Sequence, residues 1–231
     1  MYNNTKILAI IPARGGSKGI KKKNIKLLYD KPLIAWTIEE AQKSNYIDHL
    51  IVSTDDYEIA EVAEKYGAKI PFIRPMALAA DDTPGVLPVL HAIKEIPGYD
   101  YVILLQPTSP LRRVQDIDQA LKQAIDNKNK IMVSVSLASK SPYWMYKINE
   151  EKQLVPLFSE THYLRRQDIP PTYETNGAIY ISSIEWLNDN KTFIGPETIG
   201  YVMTQEDSHD IDSNIDFYIC EKIMKSRERS E

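Results

Sequence analysis

Along this chain, apolar runs of strand length alternate with segments whose apolar residues recur at helical intervals. KILAII (6–11), HLIVST (49–54), AKIPFI (68–73) and YVILLQ (101–106) are nearly continuous apolar stretches, the pattern of strands buried on both faces of a sheet. Between them, 32–44, 57–67 and 83–96 carry helical spacing. Pro32 suits a first helical turn, and Gly67 suits a C-terminal cap. The clearest helix is 114–127, where Ile117, Ala120, Leu121, Ala124 and Ile125 fall on one face. Strand and helix in regular alternation predict a Rossmann-like, doubly wound, mostly parallel α/β sheet.

The rhythm changes after KIMVSVSLAS (130–139). Residues 143–158 read as two short strands around Asn149, Glu150 and Glu151, a hairpin rather than a crossover. The polar, proline-bearing stretch 161–175 reads as a long loop, a kind of segment that is more often functional than idle. NGAIYIS and TIGYVMT then restore strands, and a final helix is predicted to present Ile215, Tyr218, Ile219 and Ile223 on one face. The expected organisation is one domain over 1–231 with a protruding lobe over 138–173.

Composition narrows the classes. At 231 residues, 43% hydrophobic and 26% charged, the chain can bury an ordinary core. No apolar run approaches the ~18 residues of a membrane span, and the N-terminal stretch lacks the pattern of a secretory signal, so a cytoplasmic protein is expected. One cysteine, Cys220, excludes an intrachain disulfide and a thiolate zinc cage, and the four histidines stand at no metal-ligand spacing.

Against a formal net charge of -4, the stretch IPARGGSKGIKKKN is anomalous. Arg14, Lys18, Lys21, Lys22, Lys23 and Lys26 stand together with no acid among them. Glycines directly after a buried strand let backbone approach a ligand, and loops at the carboxyl ends of parallel strands are where open α/β sheets bind. The motif is neither GxxxxGK[ST] nor GxGxxG. An acidic chain is a poor nucleic-acid binder, so a compact polyanion such as a nucleoside triphosphate is the expected ligand. Far away, QEDSHDIDSNID places Asp210 and Asp212 two apart, where extended backbone would turn both carboxylates to one side to share a magnesium ion. The competing reading is that Asp212 or Ser213 merely caps the last helix. Gln106 ends a buried strand facing the same crevice, and Arg165 and Arg166 lie on the polar loop, suited to gripping a carboxylate.

Taken together and in order, IPARGGSKGI..KN, VSTDD, QPTSPLR, RRQD.P..Y..NGAIY and DIDS closely resemble the acylneuraminate cytidylyltransferases, over about residues 7–220. The resemblance implies transfer of CMP from CTP to the anomeric hydroxyl of a nine-carbon 2-keto-3-deoxy sugar acid, release of pyrophosphate, a magnesium requirement, and a homodimer formed through a small lobe. Matched position by position, it implies that Arg14, Ser17, Lys18, Lys23, Asn24 and Arg74 belong to the CTP site, with Arg14 and Lys23 on the phosphates. Gln106, Tyr180 and, across the dimer, Arg166 would face the sugar acid, Asp210 and Asp212 would bind metal, and Arg14, Lys23 and Asp212 would carry the catalysis.

Two departures from the pattern stand out. Ile20-Lys21-Lys22-Lys23-Asn24 lacks the proline that the family commonly has in this loop, which leaves Lys21 and Lys22 as solvent-facing candidates. Glu174 and Thr175 stand where some sialic acid members have an arginine, a change that disfavours an extra anionic contact and suits a differently substituted sugar; legionaminic acid is the rival acceptor, since its activating enzymes share the same loop, QPTSP and DID. The NGAIY strand is read as arguing against the pseudaminic branch. A non-catalytic nucleotide-binding module is the distant alternative, and the intact Asp210 and Asp212 weigh against it.

Overall fold

The computed structural model describes residues 2–16, 19–158 and 165–228, with the Arg166 side chain left aside. Ser17 and Lys18, two of the expected nucleotide-site residues, therefore lie outside the described residues, as does the 161–164 part of the polar loop.

Ten strands are β1 (Ile7–Pro12), β2 (Leu27–Leu28), β3 (Lys31–Pro32), β4 (His49–Ser53), β5 (Tyr101–Leu105), β6 (Ile131–Leu137), β7 (Tyr146–Ile148), β8 (Leu154–Pro156), β9 (Tyr173–Ser183) and β10 (Ile199–Val202). The helices are α1 (Leu33–Gln42), α2 (Tyr57–Lys65), α3 (Val86–Glu95), α4 (Val114–Asp126), α5 (Ile184–Asn190) and α6 (Asn214–Glu228). Six strands form the main sheet in the order β10-β6-β9-β5-β1-β4. The strands run parallel except β9, which pairs antiparallel with both β5 and β6. The reason is topological: after β6 the chain leaves the sheet, forms the β7–β8 hairpin, and re-enters from the same end.

Period-two alternation sends β1 side chains to both faces. Ile7, Ala9 and Ile11 pack with α1, α2 and α4, while Leu8 and Ile10 pack with α3 and α5. Full cover on both sides explains why the strands read as continuous apolar runs. The expected doubly wound, mainly parallel architecture is present. The expected C-terminal punctuation of α2 is also present, with Gly67 at φ +84° just past the helix.

Three expectations need correction. Residues 68–73 form no strand; they touch the sheet edge by two isolated parallel bridges, Ile51 with Lys69 and Thr54 with Ile73. Pro71 stands between these bridges and has no N–H to give a ladder. Residues 173–175 belong to β9 rather than to a loop. In α6 the buried face is Phe217, Cys220 and Met224, packed on Ile20, Leu28, Leu111 and Ile211; of the expected stripe Ile223 is partly buried against the same cluster, whereas Ile215 and Tyr218 are exposed. Two apolar stripes fit the helical period, and the basic loop with the β2–β3 hairpin fully covers only one of them.

Candidate active site

The C-terminal ends of β1 and β5 open onto a cleft of about 450 Å³. The loop after β1 forms its floor and is tied from below. Asp55, just past β4, accepts from the Gly15 N–H at 3.1 Å and from Arg74 Nη2 at 3.3 Å. The buried Asn24 donates its side-chain amide to the Arg14 carbonyl at 3.0 Å, so it fastens the loop as well as lining the cleft. Arg14 reaches the cleft and pairs with Asp81 at 2.7 Å. Arg74 is almost fully buried there; burial pulls its pKa below the ordinary arginine value, with Asp55 opposing.

The lysine run divides its work. Lys23 faces the cleft and donates to the Ile211 carbonyl at 2.9 Å, with Asp212 Oδ1 at 3.4 Å. Lys22 faces solvent, as expected, its side chain 52% exposed, and there bonds both oxygens of Glu58 on α2, at 2.8 and 2.5 Å. Its backbone is left-handed, φ 53°, which turns it away from Lys23. Lys26 donates to Asn214 at the start of α6 and lies over the Phe217 ring. Much of the anomalous basic cluster therefore fastens the loop to neighbouring helices. Lys21 is exposed, as expected.

The distant acidic segment arrives on the same cleft. A Cβ on Gly19 would lie 3.0 Å from the Asp212 carbonyl, so the glycine permits the two segments to touch. Asp210 and Asp212 both line the cleft. The cap of α6 is made by others: Asp216 accepts from the backbone N–H of Ser213 at 2.7 Å, from the Ser213 hydroxyl at 2.8 Å, and from the Asp212 N–H at 3.0 Å. The Asp212 side chain is thus left for the cleft, 83% exposed, which removes the capping alternative for it. Surrounding protein raises the Asp210 carboxyl above the ordinary range even though it opens on solvent; a Thr108 hydrogen bond works the other way and Asp212 adds to the rise. Among the described residues no three metal-ligating side chains cluster. Two alternating carboxylates beside a phosphate-sized cationic cleft fit a magnesium ion that takes its remaining ligands from phosphate and water.

A second cavity of about 380 Å³ adjoins the cleft, and Gln106 and Asp210 line both. Tyr180 and Glu174, from β9, form its other side. Gly177 has φ +74°, and a Cβ there would stand 2.9 Å from Gln106 Oε1. The Tyr180 hydroxyl is raised in pKa by burial and by Asp210, so it stays protonated. Arg166 lies on a short 3-10 turn, Arg166–Asp168, ahead of β9.

Two residues escaped the sequence reading. Asp55 sits in the quoted VSTDD, and an acid directly after a buried strand was the available signal. Arg112, the last residue of QPTSPLR, is 2% exposed and donates to the carbonyls of Gln106 (3.2 Å) and Ala178 (2.6 Å) and to the Thr37 hydroxyl (2.8 Å). It couples β5 to β9 beneath the site, and burial lowers its pKa to about 10.

A cationic cleft and paired carboxylates on the C-terminal edge of a covered, mainly parallel sheet define an α/β nucleotidyltransferase fold. The fold matches the solved structure of CMP:2-keto-3-deoxy-manno-octonic acid synthetase complexed with CTP, with a TM-score of 0.74 at 17% identity, covering 96% of this chain and 100% of that one. The chain belongs to the cytidylyltransferase family, whose model matches residues 8–223. It is 37% identical to the CMP-N,N'-diacetyllegionaminic acid synthase of Legionella pneumophila, over 95% of this chain and 97% of that protein. It is 36% identical to the N-acylneuraminate cytidylyltransferase of Escherichia coli, over 98% of this chain and 54% of that longer protein. The pseudaminic acid cytidylyltransferase of Campylobacter jejuni is also 37% identical, over 97% and 99%. Overall identity therefore does not set the pseudaminic relatives apart.

Proposed function

We propose that this protein transfers CMP from CTP to the anomeric hydroxyl of a nonulosonic acid of the N-acylneuraminate or legionaminate type, releasing pyrophosphate. The observation that carries this reading is the meeting of the basic loop with the DID segment, Lys23 beside Asp212, in a cleft continuous with a second cavity through Gln106 and Asp210. The cleft is the CTP side, with Arg14, Lys23 and Arg74 as its cations and Ser17, Lys18 and Asn24 completing the loop. The adjoining cavity is the sugar side, with Gln106 and Tyr180.

In the reaction the anomeric hydroxyl gives up its proton to solvent as its oxygen forms a bond to the α-phosphorus, the bond from that phosphorus to the bridging oxygen breaks, and pyrophosphate carries away the charge. Arg14 and Lys23 would stabilise that developing charge as fixed cations of the cleft. Asp210 and Asp212 would hold magnesium, which supplies charge neutralisation and acidifies a bound hydroxyl. Tyr180, kept protonated, orients the acceptor as a hydrogen-bond donor.

The working form in this reading is a cytoplasmic homodimer joined through the lobe over 138–173. Trp144, Ile148, Leu154 and Phe158 are all exposed on and around the β7–β8 hairpin, a concentration of apolar surface that suits burial against a second copy. Arg166 would then reach the partner's acceptor carboxylate. Among the described residues no helix is long and apolar enough to cross a membrane.

Pyrophosphate release from CTP and magnesium, measured with N-acetylneuraminic acid and N,N'-diacetyllegionaminic acid and without any acceptor, tests the reading. Acceptor-dependent release is the expected result. CTP binding with no turnover on any nonulosonic acid would leave a nucleotide-binding module instead.

A further inference from the structure

We propose that Glu174 is a specificity-determining residue that reads the distal substituents of the acceptor by accepting a hydrogen bond from a neutral donor there, an acylamino N–H or a hydroxyl O–H. The inference rests on the function proposed above and concerns the far end of its sugar cavity.

That cavity has an orientation set by chemistry. A 2-keto acid carries its carboxylate on the anomeric carbon itself, so carboxylate and reacting hydroxyl must lie together at the end shared with the nucleotide cleft, by Gln106 and Asp210. The substituents of the remaining carbons point the other way. Glu174 stands three residues before Gly177 on β9, about 10 Å of extended strand from the point where that glycine backs onto Gln106 and Asp210.

The chemistry of the lining narrows what it meets there. Among the described residues lining the cavity there is no cation; its charged side chains are Asp210 and Glu174. Asn176, the obvious amide, is spent inside the protein: its nitrogen donates to Ser208 and its oxygen accepts from Ser134 and from the Ala178 N–H. Glu174 is exposed to the cavity and held by one weak contact, the Ser139 N–H at 3.4 Å from Oε1. Its position is further set by pairing opposite Ser136 on β6, whose residue also lines the cavity. An ionised carboxylate accepts and cannot donate. It therefore favours a neutral substituent that can donate a hydrogen, acylamino or hydroxyl, over one that cannot, and disfavours a second anion.

The test is kcat/KM by pyrophosphate release on three acceptors: N,N'-diacetyllegionaminic acid, N-acetylneuraminic acid, and a deoxy nonulosonic acid bearing hydrogen in place of the distal acylamino group. Wild type, Glu174→Gln and Glu174→Ala are compared. Loss of a charge-assisted bond predicts that Glu174→Ala lowers kcat/KM on the preferred acylamino acceptor by roughly ten- to a hundredfold. The deoxy acceptor should change less than about threefold, Glu174→Gln should fall between, and KM for CTP should stay put, which also certifies the fold. An unchanged ratio between acceptors, an equal loss on all three, or an altered dimer elution profile would overturn the assignment while leaving CMP transfer intact. A wild-type protein that turns over none of the three would remove the functional reading first and this inference with it.

Discussion

The Lys23 ammonium stands 3.4 Å from the Asp212 carboxylate although 189 residues separate them, and its tighter bond is to the neighbouring Ile211 carbonyl at 2.9 Å. Lys23 is largely covered, while Asp212 is open to the cleft. The lysine therefore supports the backbone of the acidic segment and leaves the Asp212 carboxylate room for a cation. Replacing Lys23 by Ala or Asp212 by Asn should each reduce turnover by roughly 10²–10³, as for loss of one key electrostatic group. Near-normal pyrophosphate release by either variant would remove that residue from the catalytic set.

Stripping divalent metal should abolish turnover, and magnesium should restore it. The protein supplies two adjacent carboxylates, and a hard cation needs more oxygen ligands than that, so affinity should rise when CTP is present. Titration calorimetry of magnesium with and without CTP measures this; equal affinity in both would contradict a shared site.

Gly177→Ala should act on the acceptor side alone. A Cβ at φ +74° would press within 2.9 Å of Gln106 Oε1, and that flexible side chain would yield. KM for the sugar acid should rise several-fold, with KM for CTP unchanged and about 1 kcal/mol of stability lost to backbone strain. Steady-state kinetics with each substrate varied separates the two.

Arg112→Met should destabilise the fold by about 3 kcal/mol, because the carbonyls of Gln106 and Ala178 and the Thr37 hydroxyl would lose a buried donor. Urea unfolding provides the measurement, and a change under about 0.5 kcal/mol would show that the forked bonds contribute little.

Cys220 is fully buried on α6, and burial pushes its thiol up to about 12. The folded chain should resist a thiol reagent at pH 8 and react once unfolded. In linkage, the folded state keeps a proton that the unfolded chain releases above the ordinary value of 9.0, so this residue's contribution is complete below that pH and declines as pH rises towards 12.

If the lobe joins two copies, Ile148→Glu with Leu154→Glu should convert a dimer to a monomer, read by light scattering. Both side chains are well exposed in the single chain, at 70% and 64%, so the folded monomer should tolerate the charges. A wild-type monomer would equally count against Arg166 acting across subunits.

The sequence by itself determined the α/β alternation and the chemistry of the site. Strands covered on both faces must be apolar at successive positions, and amphipathic helices must repeat their apolar residues, so both marks are local and readable. The basic loop and the two aspartates were visible for the same reason: their residue types are unusual in a chain of this charge. Tertiary structure alone decided which partner each group meets. Lys22 went to Glu58 and Lys23 to the DID segment because of one left-handed residue. The cap of α6 went to Ser213 with Asp216, freeing Asp212. Which stripe of α6 is buried depended on where the β2–β3 hairpin lies. β9 runs antiparallel because the segment between β6 and β9 returns the chain at the site end of the sheet. These are long-range contacts, set by the paths of segments far apart in the chain, and no local pattern of residues encodes a distance between them.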